Sequence, residues 1–308
     1  MTQNPTQGLK KTALILGASG KIGTHAIRAF TARGWICRKY DRAEGNMTEA
    51  AMGCDVIING LNPPNYHNWA EIIPEITEQV IAAAKASGAT VVLPGNVYVF
   101  GDEAGEWSEQ TPHRPVSRKG KIRADMEARY AHSGVQVINL RAGSFIDPDK
   151  NADIVSLMIL NKIKKGRIGA TGDRRVKHAY AYLPDWARAV ALLAEQREAL
   201  GVYEDIPFPG HAFSLDELKA EIERMTQSKL IVRAFPWWLF RLTAPFWELA
   251  RELLEMRYLF DTSHWLSSDR FDALLPEFEA TPLETVLRQL DVNPNQLVTA
   301  GAARESAV

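Results

Sequence analysis

The chain has 308 residues, with 36 Lys+Arg against 37 Asp+Glu for a formal net charge of −1, which excludes a protein that holds nucleic acid mainly by net basic charge. Hydrophobic residues at 46% and charged ones at 24% form an ordinary globular balance that excludes disorder over most of the length. Cys37 and Cys54 alone carry thiols, so a disulfide framework is excluded, and no CxxC, HExxH or paired-histidine spacing points to a metal.

Thr12–Leu16 is an apolar run of strand length. It is followed by Gly17-Ala18-Ser19-Gly20-Lys21-Ile22-Gly23 and a helix expected over 24–33, whose buried stripe is Ala26, Ile27 and Phe30. Gly34 ends that helix, and 35–40 reads as a second strand. Strand, glycine turn, helix and strand make the unit that holds a dinucleotide. The first glycine permits the turn, the second lets a pyrophosphate approach the backbone, and the third lets helix and strand pack closely. Free N–H groups at the helix start then meet the phosphate charge. A Walker A loop would need glycine where Ile15 stands and Ser or Thr where Ile22 stands, so that reading fails.

Val56–Asn59 is the next strand, and Asn62-Pro63-Pro64-Asn65 breaks the chain at its carboxyl end. A long helix is expected over Trp69–Ser87, with Ile72, Ile76, Val80 and Ala84 recurring at fours. Strand 90–93, helix 122–133 and strand 135–140 follow, the alternation of a parallel sheet with covering helices. Beyond Gly143 the pattern is less regular. A basic stretch runs from Lys162 to Lys177, and an aromatic-dense one from Phe235 to Tyr258 suits an apolar pocket wall or an oligomer contact, with core packing the leading expectation. The expected organisation is a dinucleotide-binding domain over 9–145, an interleaved C-terminal portion over 146–298 and a loose tail over 299–308. No run of about 18 uncharged apolar residues is present to span a membrane, and residues 1–8 lack an apolar signal core, so a cytoplasmic protein is expected.

The GxxGxxG spacing of Gly17, Gly20 and Gly23 resembles that of the short-chain dehydrogenase/reductase superfamily, particularly its extended and atypical branches, the NAD-dependent epimerase/dehydratase-like proteins. The segment from Gly53 to Leu61 is similar to that family's strand beside the adenine ribose. Asn96-Val97-Tyr98-Val99-Phe100-Gly101 is similar to its VYG-containing strand end. Leu140-Arg141-Ala142-Gly143-Ser144-Phe145 resembles the strand leading to substrate, and Tyr180 to Ala187 resembles its late helix-starting segment. The resemblance implies a Rossmann-type doubly wound parallel sheet with a smaller, mostly helical C-terminal substrate portion. It also implies NAD or NADP, held by Gly17, Ser19, Gly20, Lys21, Ile22 and Gly23, with Gly60, Leu61 and Asn62 nearby. Asp41, 18 residues after Gly23, would accept from the ribose hydroxyls and favours NAD. Arg42 stands where some atypical members bind the NADP phosphate, and Asn46 and Met47 are expected against the adenine. The basic stretch is either a solvated face or, as the extended branch implies, a partner for the diphosphate of a nucleotide sugar.

Reductase and epimerase members use a Tyr four residues before a Lys, with a Ser or Thr nearby, to move a proton alongside the hydride. One placement puts Lys121 on the lysine and Ser117 on the tyrosine; a two-residue slip puts Arg123 and Lys119 there. Neither yields a tyrosine, and Pro94 or Asn96 stands at the Ser/Thr position. The catalytic candidates are therefore Lys121, Tyr98, Asn96 and Ser117, with Arg141 reaching substrate or steadying its strand end. The function expected is an NAD(P)-binding oxidoreductase or epimerase-like enzyme acting on a small or sugar-like carbonyl or hydroxyl compound. The alternative is a non-catalytic dinucleotide-binding redox sensor or regulatory scaffold. A small-molecule substrate, no nucleic acid, no membrane span and possible homodimerisation complete the expectation.

Overall fold

Thr12–Leu16 (β1) is buried along its whole length, as an apolar run must be when both faces of a sheet are covered. The computed structural model describes residues 10–43, 45–149 and 153–292, so the expected tail over 299–308 lies outside the described residues. After β1 come α1 Lys21–Ala32, β2 Ile36–Lys39, α2 Met47–Ala51, β3 Val56–Asn59, α3 Trp69–Ser87 and β4 Thr90–Asn96. Next are β5 Gly105–Trp107, α4 Arg118–Ala131, β6 Val137–Ala142, β7 Ser144–Ile146, β8 Arg167–Ala170 and β9 His178–Tyr182. Then follow α5 Leu183–Glu195, β10 Tyr203–Pro207, β11 His211–Phe213, α6 Leu215–Thr226 and β12 Ile231–Ala234. The last elements are α7 Trp237–Thr243, α8 Glu248–Glu255, β13 His264–Leu266, α9 Asp269–Leu274 and α10 Leu283–Gln289.

Six strands form the central sheet in the order β10-β6-β4-β3-β1-β2, with every neighbouring pair parallel. The pleat divides the core. Ala13 and Ile15 of β1 pack with Ala26 and Phe30 of α1 and with Trp186 and Val190 of α5. Leu14 and Leu16 face the other way, towards Val80 and Ala84 of α3 and Met126 and Tyr130 of α4. Strand order reverses at β1, because the chain goes out to β2 and returns on the far side as β3. That switch point opens a crevice beyond the carboxyl ends of β1 and β3.

Several elements differ from the sequence expectation: α1 starts at Lys21 instead of 24, β4 runs to Asn96 instead of 93, and β6 spans Val137–Ala142 instead of 135–140. α4 begins at Arg118, four residues earlier than its expected start at 122, because Ser117 accepts from Gly120 N and caps it. β10, with Glu204 and Asp205 in its middle, carries no strand signal, yet it pairs in register along β6. It lies beyond residue 146, so the sheet draws strands from both expected portions.

Candidate functional site

The turn after β1 needs a left-handed residue: Gly17 has φ +69°, and a Cβ there would lie 2.8 Å from Gly60 O. Gly20, Lys21 and Ile22 then line a cavity of about 500 Å³. Gly60, Leu61 and Asn62 after β3, Pro94 to Tyr98 at the end of β4, and Ala142 to Phe145 at the end of β6 also line it, with Trp69, Ile73 and Thr77 of α3 and Met126 of α4. The N-cap of α1 is Gly20, which has no side chain to cap with, and a helix start suits an anion. A Cβ on Gly20 would meet only Gly17 O, at 3.1 Å, and otherwise project towards the cavity. This is the cradle that a pyrophosphate requires, so these residues fit a dinucleotide. Ser19 is exposed on the turn, and Gly23 is buried beneath it.

Farther out, Asp41 and Arg42 are exposed just past β2, and Asp41 Oδ1 accepts from Ala43 N at 2.9 Å. Asn46 caps α2 by accepting from Thr48 N, and Met47 is buried among Leu14, Leu16 and Ala51. The Met47 side chain, expected against the adenine, is thereby part of the core.

The other end of the cavity holds Tyr98, Tyr66 and Arg123. The Tyr98 and Tyr66 hydroxyls lie 3.5 Å apart, and Arg123 Nη2 donates to Pro94 O at 2.6 Å. Burial pushes the Tyr98 hydroxyl above the usual tyrosine range, against the pull of the Tyr66 hydrogen bond and the Arg123 cation. Tyr66 is raised further, chiefly by Tyr98 and then by burial. Tyr66 also has φ +61°, which costs a bulky residue backbone strain. A second cavity, of about 530 Å³, adjoins the first, with Tyr66, Asp153 and Ile154 in both walls. Arg167, Arg233, Phe240 and Trp247 line its outer part.

Two of the expected catalytic residues, Lys121 and Ser117, line neither cavity. Lys121 is exposed on the outer side of α4; residues two apart on a helix point in nearly opposite directions. The helix turns Lys119 and Arg123 inward instead, so of the two placements the slipped pair faces the interior. Ser117 is buried as a helix cap, with its hydroxyl committed to Gly120 N. Asn96 lines the cavity but accepts from Tyr98 N, holding the turn that presents the phenol.

Arg141 lines neither cavity. Its guanidinium is fully buried, donating to Glu127 Oε2 at 2.7 Å, to Asp205 Oδ1 at 3.1 Å and to Asn96 O at 2.5 Å. Burial pushes the Asp205 carboxyl up despite that pairing. His113, Glu127 and Asp205 have ligand-type atoms within 4.8 Å of one another, and Arg141 is the counter-ion of both carboxylates. Lys119 is likewise sealed: it is fully buried, paired with Glu252 and, at 2.6 Å, with Glu255 of α8, and 5.0 Å from the Tyr66 ring centre.

Tyr66 and Asp153 escaped the sequence reading. A left-handed backbone at a tyrosine has no sequence signature, and Asp153 lies where the periodicity is lost. The inward face of α4 was legible only as the slipped placement.

The family model for the NAD-dependent epimerase/dehydratase family matches residues 13–206. The chain belongs to that family. Solved structures share its fold at low identity. MoeE5 in complex with UDP-glucose and NAD superposes with a TM-score of 0.71 at 17% identity, covering 96% of this chain and 100% of that one. The NAD-dependent NDP-hexosamine 5,6-dehydratase TunA gives 0.68 at 15%, over 92% and 97% of the two chains. UDP-glucose 4-epimerase from Brucella ovis, in complex with NAD, gives 0.67 at 15%, over 93% and 98%. No curated protein matches the chain in sequence.

Proposed function

We propose that this family member binds NAD(H) across the carboxyl ends of β1, β3 and β4 and performs redox chemistry at a hydroxyl-bearing carbon of a nucleotide-sugar-like compound. The observation that carries this reading is Tyr98 and Arg123 lining the same cavity as the Gly20–Ile22 turn. NAD, when bound, accepts or returns the hydride. The glycine turn and the start of α1 hold the pyrophosphate, and Asp41 reads the ribose. Tyr98 exchanges the substrate proton with Arg123 as its charged neighbour, replacing the tyrosine that neither placement on α4 supplies. Arg167 and Arg233 in the adjoining cavity suit a diphosphate. The relatives with bound UDP-sugars support that substrate class.

Calorimetry with NAD and NADP tests the cofactor, with tight binding expected to collapse in a folded Gly20→Val variant. Unchanged affinity would overturn the pyrophosphate assignment. Asp41→Ala is expected to shift preference towards NADP. A wild type that prefers NADP, and loses that preference in Arg42→Ala, would overturn the NAD assignment. Turnover is tested with a panel of UDP- and TDP-sugars. The redox-sensor reading is favoured by one observation, the locking of Lys119 by Glu252 and Glu255. It is supported if NAD binds and no member of the panel is converted.

A further inference from the structure

Tyr66 sits in the turn after β3 in a left-handed backbone conformation, φ +61°, and such strain persists only where the surroundings hold a residue in place. Two neighbours hold its ring. The Lys119 ammonium lies 5.0 Å from the ring centre, and the Trp69 ring at the start of α3 lies 5.1 Å away. Lys119 is itself fixed by Glu252 and Glu255 of α8. In the slipped placement Lys119 takes the family's tyrosine position, so the side chain there braces a phenol that another element supplies.

That bracing leaves the Tyr66 hydroxyl 3.5 Å from the Tyr98 hydroxyl, its only hydrogen-bond partner among the described residues. Both phenols line the inner cavity, but only Tyr66 also lines the outer one. The outer cavity opens to solvent, since its lining includes Leu157 at 56% and Trp247 at 45% exposure. A proton leaving or reaching the half-buried Tyr98 therefore has beside it a hydroxyl that borders both spaces. The other ionisable groups around the pair are Arg123 and Lys119 of α4, Glu252 of α8 and Tyr258. Of the two phenols Tyr66 is held higher, chiefly by Tyr98 and then by burial, so Tyr98 ionises first and Tyr66 keeps a proton to donate.

We propose that Tyr66 is the positioning residue for the acid–base step, donating to the Tyr98 oxygen once that phenol has given up its proton and linking it to solvent through the outer cavity. The assignment rests on the proposed role of Tyr98. In reduction, with NADH as the hydride source, the Tyr98 proton goes to the substrate oxygen and leaves a phenolate. Tyr66 passes its own proton to that phenolate and takes another from solvent, so both phenols end protonated. Oxidation, with NAD taking the hydride, runs the same protons outward. A hydrogen bond to an ionised oxygen is shorter and about twice as strong as a neutral one, so the 3.5 Å gap closes when Tyr98 ionises.

Absorbance titration of a fluorinated tyrosine placed at position 98, whose phenol ionises nearer neutrality, tests this without NAD or substrate. Tyr66→Phe keeps the ring that Lys119 and Trp69 hold, and should raise the label's midpoint by about one pH unit, a tenfold weaker ionisation. The same label at position 66, in otherwise unaltered protein, should titrate above the one at 98. A midpoint at 98 that Tyr66→Phe does not raise overturns the proposal, and so does the reverse order of the two labels. Turnover separates this outcome from the enzymatic reading. If Tyr98→Phe suppresses conversion of a sugar in the panel while Tyr66→Phe keeps the wild-type rate and pH profile, the enzymatic reading stands and the role of Tyr66 is overturned. If the midpoints shift as expected and no sugar is converted, the coupling of the two phenols is upheld and the enzymatic reading falls.

Discussion

Tyr98 has an acid–base consequence that follows from its surroundings. Burial outweighs the Tyr66 hydrogen bond and the Arg123 cation, so the phenol stays protonated through neutral pH. A protonated phenol serves reduction, in which it donates to the developing alkoxide. Oxidation needs the phenolate, so its rate should climb with pH to beyond pH 10, the ordinary tyrosine value. Tyr98→Phe should abolish that rise and cost about 10²- to 10⁴-fold in kcat, whereas Lys121→Met should leave the profile unchanged. A kcat–pH series on the three proteins checks both. Arg141 makes a different prediction because it serves the core. Arg141→Met leaves Glu127 and Asp205 facing each other without the guanidinium they share, which should cost about 3–5 kcal/mol in urea unfolding. Arg141→Lys should rescue little, since one ammonium cannot reproduce the guanidinium fork shared by two carboxylates.

Among the elements, α4 carries most of the site's geometry. Ser117 sets its start, and that start decides which side chains turn inward: Lys119, Arg123, Met126, Glu127 and Tyr130 are buried. Gly120 lies in the first turn because the helix passes close to the Tyr98 turn; a Cβ there would lie 2.5 Å from Tyr98 O. On helix propensity alone, Gly120→Ala would stabilise the protein by about 1 kcal/mol. The contact is with backbone that cannot swing aside, so the substitution should instead destabilise by about 1–3 kcal/mol. It should also displace the Tyr98 phenol. A lowered melting temperature together with a lowered kcat is the expected result.

At the scale of the whole molecule, the buried His264 and the half-buried His178 tie the C-terminal part to the rest. His264 on β13 stacks on Trp107 of β5 at 4.5 Å and meets His178 of β9 edge-on at 5.2 Å. Burial lowers both from 6.5 to about 4. The unfolded chain therefore takes up these protons near pH 6.5, whereas the folded protein resists them until about pH 4. Their contribution is complete above pH 6.5 and is lost as pH falls towards 4, at up to about 1.4 kcal/mol per pH unit for each histidine. Denaturant unfolding over that window should show the loss, and His264→Phe should flatten it.

What sequence alone determined was local. β1 at Thr12–Leu16 and α3 at Trp69–Ser87 have the expected bounds. An apolar run between glycines, and apolar residues at fours, already state how a segment can bury its surface. The dinucleotide cradle was legible for the same reason, since its glycines act on the chain that contains them. Tertiary structure decided the placement of charge. Arg141 looked available to substrate until Asp205, 64 residues away, enclosed it. Lys119 stood at the catalytic tyrosine position in one placement until Glu255, 136 residues away, reached its ammonium. The aromatic stretch looked like core until packing buried Trp237 and left Phe246 in solvent. A charged or aromatic side chain has no fixed depth of its own. Its depth follows from whether distant partners meet its hydrogen-bonding and charge requirements, and only the folded chain supplies them.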